Sequence, residues 1–224
     1  MKFEDFSLSK EVLKAVSEMG FEEPTPIQVS AIPLVLNGGD IIGQAQTGTG
    51  KTAAFGIPIV EKCQRGKNLF AVILEPTREL AVQVAQEINE IGKSKKIRVL
   101  PVYGGTSIER QIKSLQRGID VVVGTPGRLI DHLNRRTISL ADIRIAVLDE
   151  ADEMLNMGFV DDMETILKNT PAERQTLLFS ATMPQPIVNI AKRYMRNPEK
   201  IRVNTKDVVV PKIKQIFYEV REEE

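Results

Sequence analysis

The sequence predicts an α/β fold, with a mostly parallel sheet of about seven strands and helices on both faces. The first observation is that short runs of Val, Ile and Leu alternate with helical patterns of apolar residues, which is typical of parallel strands buried on both faces. The second is that turns rich in Gly, Pro and Thr follow several of these runs and precede helices. The third is a hydrophobic content of 42% in 224 residues, which is enough for one sizeable core.

The elements follow in chain order. Residues 1–39 precede the first strand and are predicted to form two helices packed on the core, one with an apolar stripe from Leu8 to Met19 and one over residues 26–36. One of the later helices is expected to begin with a capping box of Thr106 and Glu109. Strands are predicted at residues 41–44, 70–74, 98–103, 121–124, 143–148, 176–180 and 201–204.

The end of the chain differs from the domain that precedes it. Residues 40–205 carry the alternating pattern of one domain, whereas residues 206–224 have the pattern of a connector followed by the start of another strand. A strand without a neighbour is not stable alone. We therefore expect residues 206–224 to be a linker to a second lobe of a longer chain.

The charge balance limits how this chain can bind nucleic acid. Lys plus Arg and Asp plus Glu each number 30, so such a partner would be held by a local patch. The single cysteine, Cys63, excludes an internal disulfide and fits a reducing compartment. No apolar run approaches the ~20 residues of a membrane span, and the N-terminal residues lack the apolar region of a signal peptide. We expect a cytoplasmic location.

Residues 45–52, Ala-Gln-Thr-Gly-Thr-Gly-Lys-Thr, have the pattern of a phosphate-binding loop between a strand and a helix. Gly48 and Gly50 permit a turn that a Cβ would block, and the N–H groups of the loop and the helix dipole favour an anion. Lys51 is predicted to bind the β- and γ-phosphates, and the Thr52 hydroxyl to hold Mg²⁺. The first residue is Ala where the strict pattern has Gly, so we expect a right-handed or extended backbone there.

Two further segments follow predicted strands, at the edge where ligands bind in such sheets. Asp149 is predicted to be a magnesium ligand, and Glu150 to polarise the water that attacks the γ-phosphate. The alternative for this pair is an acidic helix N-terminus with no catalytic role. Ser180 and Thr182 leave two interpretations open, an N-cap or a sensor that hydrogen-bonds the acids between Asp149 and Asp152.

Three turns share one design and predict contacts with a sugar-phosphate backbone. Each follows a predicted strand, opens a helix, and offers groups that bind phosphate. Any one of them alone would be interpreted as an ordinary capped turn, and their repetition favours a nucleic-acid face without base readout. They comprise Pro76, Thr77 and Arg78; Gly104 and Gly105; and Thr125, Pro126, Gly127 and Arg128.

Gln28 is the candidate for adenine recognition. Its amide can pair with N6 and N7 of adenine, and Phe21 or Phe3 could stack on the base, although a solvated Gln at a helix start is the alternative.

His132 has no evident ligand partner and is expected at the surface. The basic run at residues 93–98 is predicted to be a solvated loop.

In this order the motifs resemble those of the DEAD-box RNA helicases, and the chain resembles the N-terminal RecA-like lobe of that family. The resemblance covers residues 3–204 and includes Asp-Glu-Ala-Asp at residues 149–152. Ala is also what the family carries at the first position of the phosphate loop. The resemblance implies ATP and Mg²⁺ as cofactors, RNA as the partner, and a second RecA-like lobe whose arginine completes the ATP site. An isolated lobe is therefore expected to have little activity.

The resemblance also implies a role for each motif. Adenine would be held by Gln28 and Phe3, with Phe21 lining the pocket, and the three turns described above would lie on the RNA backbone. Asp149 would serve Mg²⁺ and Glu150 the attacking water. A DNA-directed helicase and an ATP-gated RNA clamp remain as alternatives. The phosphates would be held by Thr47, Gly48, Thr49, Gly50, Lys51 and Thr52, and ATP would be coupled to RNA by Asp152, Ser180 and Thr182.

Overall fold

The computed structural model describes residues 1–66 and 68–203 and contains one sheet. Its strands are β1 (Ile41–Gln44), β2 (Ala71–Leu74), β3 (Val99–Val102), β4 (Val121–Gly124), β5 (Ile145–Leu148), β6 (Gln175–Ser180) and β7 (Glu199–Arg202). They lie in the order β3-β4-β2-β5-β6-β1-β7, and all six pairings are parallel. The predicted fold is confirmed, and each predicted strand overlaps an observed one.

The helices connect successive strands and cover the sheet. They are α1 (Lys10–Glu18), α2 (Pro26–Leu36), α3 (Lys51–Lys62), α4 (Arg78–Gly92), α5 (Ile108–Gln116), α6 (Pro126–Asn134), α7 (Ala151–Asn156), α8 (Val160–Lys168) and α9 (Gln185–Tyr194), preceded by a 3-10 helix at Phe3–Asp5. None of the helices in the described ranges combines the length and the apolar character that a bilayer crossing requires. Helices α3 to α7 and α9 each follow the carboxyl end of a strand, so the connecting turns collect at one edge of the sheet.

Alternate strand residues face two apolar layers, one on each side of the sheet. Val121 and Val123 of β4 pack in the layer that also contains residues of α1 to α4. Val122 packs in the opposite layer with residues of α6 to α9. Burial on both faces explains why the strands are continuous apolar runs and not alternating ones. The two N-terminal helices are part of the first layer, through residues such as Val12 and Ile27.

The predicted capping box of α5 is wrong by one residue. Ser107 is the N-cap, and its hydroxyl accepts a hydrogen bond from the backbone N–H of Arg110 at 3.4 Å. The Thr106 hydroxyl instead donates to the carbonyl of Tyr103 at 3.4 Å, because Thr106 still belongs to the turn. The predicted linker at residues 206–224 lies outside the described residues.

The expectation that His132 lies at the surface is also wrong. Its side chain is 0% exposed, because α6 turns this side towards α5 and towards the segment that follows α6. Both ring nitrogens have partners there, Gln111 at 2.9 Å and Thr137 at 2.7 Å.

Candidate nucleotide site and nucleic-acid face

The loop between β1 and α3 has the backbone geometry of a phosphate-binding loop. Gly48 and Gly50 have φ angles of 82° and 89°, in the left-handed region that side chains disfavour. At Gly50 space is also lacking, because a Cβ there would lie 2.5 Å from the side-chain nitrogen of Gln28. Ala45 is not among the described residues with positive φ, as predicted. Helix α3 begins at Lys51, directly after this loop, so its first turn lies at the carboxyl edge of the sheet.

Lys51 joins this loop to the acids that follow β5. Its Nζ lies 2.6 Å from Oε1 of Glu150 and 3.6 Å from Oδ1 of Asp149. The Thr47 hydroxyl donates to the same Glu150 oxygen at 3.0 Å. Lys51 is only 4% exposed, so these contacts are largely shielded from water. The phosphate loop and the two acids therefore form one site, which is what the sequence predicted.

Asp149 and Glu150 differ in environment although they are adjacent. Burial raises the pKa of Asp149 to about 6, with the Glu150 charge adding to this and the Lys51 charge opposing it. Glu150 has φ 47° and ψ 48°, a left-handed conformation that is uncommon for a residue with a side chain. In this conformation its N–H donates to Oδ1 of Asp149 at 2.9 Å. The strained backbone thus holds both carboxylates at the end of β5.

A cleft of about 580 Å³ opens beside these groups. The phosphate loop and the acids lie on one side of the cleft, and α4 lies on the other. The sequence analysis did not predict that α4 lines the nucleotide site. Burial raises the pKa of Glu87 on α4, partly offset by the Thr52 hydroxyl. The lining includes Phe21, Gln28, Thr47, Gly48, Gly50, Lys51, Thr52, Gln83, Glu87, Glu90, Asp149 and Glu150.

Gln28 connects the N-terminal helices to the phosphate loop. Its Oε1 accepts a hydrogen bond from the N–H of Thr25 at 2.9 Å, and its Nε2 donates to the carbonyl of Gly50 at 3.1 Å. Phe21 lines the same cleft. Phe3 is buried and lies behind Phe21, with ring centroids 6.2 Å apart in a stacked arrangement. Phe3 thus supports Phe21, and the cleft-facing aromatic is Phe21.

The three predicted nucleic-acid turns lie side by side. They follow β2, β3 and β4, which are neighbours at one end of the sheet. Gly104, Gly105, Gly127 and Arg78 are exposed, whereas Pro76 and Pro126 are buried within their turns. The two prolines therefore shape the turns, and exposed groups beside them form the accessible surface.

Two of these turns are linked by their side chains. The guanidinium carbon of Arg78 lies 4.9 Å from the centroid of the Tyr103 ring, within the range of a cation–π interaction. Thr77 caps α4 by accepting a hydrogen bond from the N–H of Leu80 at 3.3 Å. The turns after β2 and β3 are thereby fixed relative to each other.

Asp152 is bound by the turn after β6. Both the N–H and the hydroxyl of Thr182 donate to its Oδ2 at 2.8 Å, and its own N–H donates to the Ser180 hydroxyl at 3.2 Å. Burial acts to raise the pKa of Asp152, but the donors from Ser180 and Thr182 lower it overall. The N-cap of α9 is Pro184. Ser180 and Thr182 therefore make the contacts that the sensor interpretation requires, whereas neither is the N-cap of α9.

The family assignment rests on a comparison of the whole sequence. The profile of the DEAD/DEAH box helicase family matches residues 25–190, a range that contains the phosphate loop, the acids and all three turns. The chain belongs to this family. The relatives include the "DEAD-box ATP-dependent RNA helicase CshA" of Bacillus subtilis, 58% identical over 98% of this chain, and the "ATP-dependent RNA helicase CshA" of Listeria monocytogenes, 58% identical over 100% of it.

Two solved structures share the fold. A DEAD box protein from Methanococcus jannaschii is 47% identical with a TM-score of 0.89, covering 92% of this chain and 57% of its own. A hypothetical ATP-dependent RNA helicase from Sulfolobus tokodaii is 41% identical with a TM-score of 0.82, covering 88% of this chain and 57% of its own. The chain spans 45% of the Bacillus protein and 43% of the Listeria protein, so it corresponds to less than half of these relatives.

The oxygen ligands in this DEAD/DEAH box site fit a magnesium ion that is shared with a phosphate. Thr52 and Asp149 line one cleft, and Mg²⁺ is usually held by one or two carboxylates together with waters and substrate phosphates. In the described part of the chain there is no cluster of three or more His, Cys, Asp or Glu side chains suited to a metal. A hydroxyl and a carboxylate fit the small protein share of such a site, whose other ligands would be waters and nucleotide phosphates.

Sequence reasoning missed one buried acid of this site. Glu75 follows β2, is 0% exposed, and neither of its carboxyl oxygens has a hydrogen-bond partner among the described residues. Burial, followed by the charges of Asp149 and Glu150, raises its pKa well above the ordinary value. The only sequence signal was an acid between an apolar strand and Pro76, and its meaning depends on β2 lying beside β5.

Proposed function

We propose that this chain is the ATP-binding lobe of an ATP-dependent RNA helicase. The observation that carries the proposal is the contact of Lys51 with Glu150 and Asp149 in the cleft that Gln28 also lines. A phosphate loop and two carboxylates are groups that transfer of the γ-phosphoryl group uses, and the amide of Gln28 is compatible with adenine. The Bacillus and Listeria relatives are named as ATP-dependent RNA helicases, which supports the same reaction.

Each group of side chains has a separate role in the proposed hydrolysis. The N–H groups of the loop and Lys51 bind the phosphates, and Gln28 with Phe21 holds the adenine. Thr52 and Asp149 would hold Mg²⁺, which when bound neutralises charge on the β- and γ-phosphates. A γ-phosphate attracts Lys51 away from Glu150, because the phosphate carries more negative charge than the carboxylate. Glu150 is then able to accept a hydrogen bond from the attacking water.

The three turns after β2, β3 and β4 would hold single-stranded RNA by its backbone. Their exposed glycine N–H groups, hydroxyls and arginines suit phosphate oxygens and offer no base readout, so little sequence preference is expected. Asp152 follows β5, and Ser180 and Thr182 lie at the end of the neighbouring strand β6. These three residues are proposed to transmit the state of the nucleotide. A second RecA-like lobe in the full-length protein would complete both sites, and the location would be cytoplasmic.

The decisive experiment is to measure ATP hydrolysis by the full-length protein with RNA, with DNA of the same sequence, and with neither. We expect stimulation by RNA and much less by DNA, and equal stimulation would contradict the RNA assignment.

Unwinding of a short duplex, measured beside RNA retention with a non-hydrolysable analogue, separates a helicase from an ATP-gated clamp. We expect the 224-residue chain alone to turn over little ATP, and strong RNA-stimulated turnover would show that the second lobe is dispensable.

A further inference from the structure

His132 lies in a buried hydrogen-bond network next to the proposed RNA face. It belongs to α6, whose first turn carries Arg128, and it is fully enclosed between α6 and α5. Its Nε2 lies 2.9 Å from Oε1 of Gln111, and its Nδ1 lies 2.7 Å from the hydroxyl of Thr137. None of these residues lines the nucleotide cleft, so the network is separate from the nucleotide site.

The partners of Gln111 determine which ring nitrogen carries the proton. Its Nε2 donates to the carbonyl of Tyr103 at 3.0 Å, which can only accept, and its Oε1 accepts from Arg128 at 3.1 Å, which can only donate. The amide orientation is therefore fixed, with Oε1 facing His132. His132 must therefore donate from Nε2. The hydroxyl of Thr137 lies 2.7 Å from Nδ1 and 3.1 Å from the carbonyl of His132. Since a hydroxyl has one proton and a neutral ring has no second N–H, that proton goes to Nδ1 in the neutral form. Burial and the charge of Arg128 lower the pKa of His132, which favours this neutral form.

The same network holds Arg128 in place. Its Nη1 donates to Oε1 of Gln111 at 3.1 Å, and both Nη atoms lie 3.2 Å from the carbonyl of Thr106. In the described residues no carboxylate forms an ion pair with Arg128, so its charge stays available to an anion. The network thus ties the turn after β3, which contains Gly104 and Gly105, to the turn after β4.

We propose that His132 is a positioning residue for RNA binding, which acts through Gln111 to fix Arg128 and the Gly104–Thr106 turn in the arrangement that receives one RNA phosphate. The inference rests on the proposed function, since it requires that this face binds RNA. If His132 were only a core residue, an apolar replacement that folds would leave RNA binding unchanged.

The test is the affinity of the full-length protein for single-stranded RNA, measured with a non-hydrolysable ATP analogue over a series of salt concentrations. His132→Leu removes the donor to Gln111, whereas His132→Gln keeps an N–H at a similar distance from the main chain. Arg128→Ala removes the proposed phosphate contact directly. Arg135→Ala is the charge-matched control, because Arg135 is exposed on the following turn and pairs with Asp131.

We expect His132→Leu and Arg128→Ala each to weaken RNA binding about tenfold. In a plot of log affinity against log salt, the negative slope should also become less steep by roughly 0.7 in each variant. This is the value for one lost phosphate contact to a single strand. The double variant should bind no more weakly than Arg128→Ala alone, because both changes remove one contact. His132→Gln should restore most of the affinity, and Arg135→Ala should leave the slope unchanged.

Two results overturn the proposal in different ways. If Arg128→Ala weakens binding but folded His132→Leu does not, or if their effects add, His132 does not position Arg128. If Arg128→Ala leaves RNA binding unchanged, Arg128 receives no RNA phosphate, and the turn after β4 is no longer part of the proposed RNA face. A separate check uses this chain, in which His132 is the only histidine. Nitrogen-15 NMR should find its proton on Nε2, and a proton on Nδ1 alone would contradict the network.

Discussion

The Nζ atom of Lys51 lies 2.6 Å from Oε1 of Glu150, so the cation of the phosphate loop is paired with the acid proposed to act on water. Each group holds the other in the buried floor of the cleft. A triphosphate must therefore compete with Glu150 for Lys51. In the proposed mechanism this competition couples nucleotide binding to the release of the carboxylate, and Lys51 would act in stability as well as in binding.

Replacing Lys51 by Ala is expected to abolish tight ATP binding and also to destabilise the fold. The substitution leaves the carboxylates of Asp149 and Glu150 buried without their cation, and breaking a buried pair in this way costs about 3–5 kcal/mol. Isothermal titration with ATP measures the first effect, and urea unfolding measures the second.

The double variant Lys51→Ala/Glu150→Gln tests the reason for this loss. Gln keeps the shape of Glu150 without its charge, so much of the stability should return while ATP binding stays weak. If the double variant were as unstable as Lys51→Ala, the ion pair would not be the cause.

Gln28→Ala is expected to weaken the binding of ATP more than that of GTP. The amide is the proposed adenine reader, but it also donates to the carbonyl of Gly50, so some loss should be common to both nucleotides. Competition binding with ATP, GTP and tripolyphosphate separates the shared loss from the specific one. Equal losses for ATP and GTP would show that Gln28 supports the loop and does not read the base.

Glu75→Gln should alter how stability depends on pH. The raised pKa of Glu75 means that the folded protein keeps a proton that the unfolded chain releases near its ordinary pKa of 4.5. The stability that Glu75 contributes is complete below that pH and is lost as the pH rises through the folded pKa. Gln does not titrate, so the variant should gain stability relative to the native protein as the pH rises.

Urea unfolding from about pH 5 to pH 8 measures this difference across the window. Glu79→Gln is the matched control, because Glu79 is an exposed acid four residues away. A constant difference between Glu75→Gln and the native protein over the whole series would mean that Glu75 does not hold a proton in the folded state.

Thr182→Val is expected to impair duplex unwinding about tenfold while ATP binding persists, since a hydrogen bond to a charged group is lost. Valine has the shape of Thr182 but cannot donate to Oδ2 of Asp152, which now receives a hydroxyl at 2.8 Å. Thr182→Ser, which keeps the hydroxyl, should behave much like the native protein. Parallel loss of ATP binding and unwinding would argue against a coupling role.

Local patterns were sufficient to predict the strands and the phosphate loop. The apolar runs are buried by the sheet itself, and the loop needs glycine at positions 48 and 50 for reasons that are visible in sequence. Several features that depend on contacts between distant elements, and that no motif marks, were missed. The burial of His132 depends on α5 packing beside α6, and the raised pKa of Glu75 depends on β2 lying next to β5. Phe3 was expected to hold adenine, and its place behind Phe21 depends on how the N-terminal segment folds.

The strand order has a mechanical consequence. Strands β5, β6 and β1 carry the nucleotide groups, while β2, β4 and β3 carry the turns proposed for RNA. The border runs between β5 and β2, where the N–H of Asp149 donates to the carbonyl of Leu74 at 3.1 Å. Adjacent strands lie about 4.8 Å apart. One backbone hydrogen bond therefore joins the proposed magnesium ligand to the strand that leads into the first proposed RNA turn. A displacement of Asp149 would act directly on the peptide before Glu75 and Pro76.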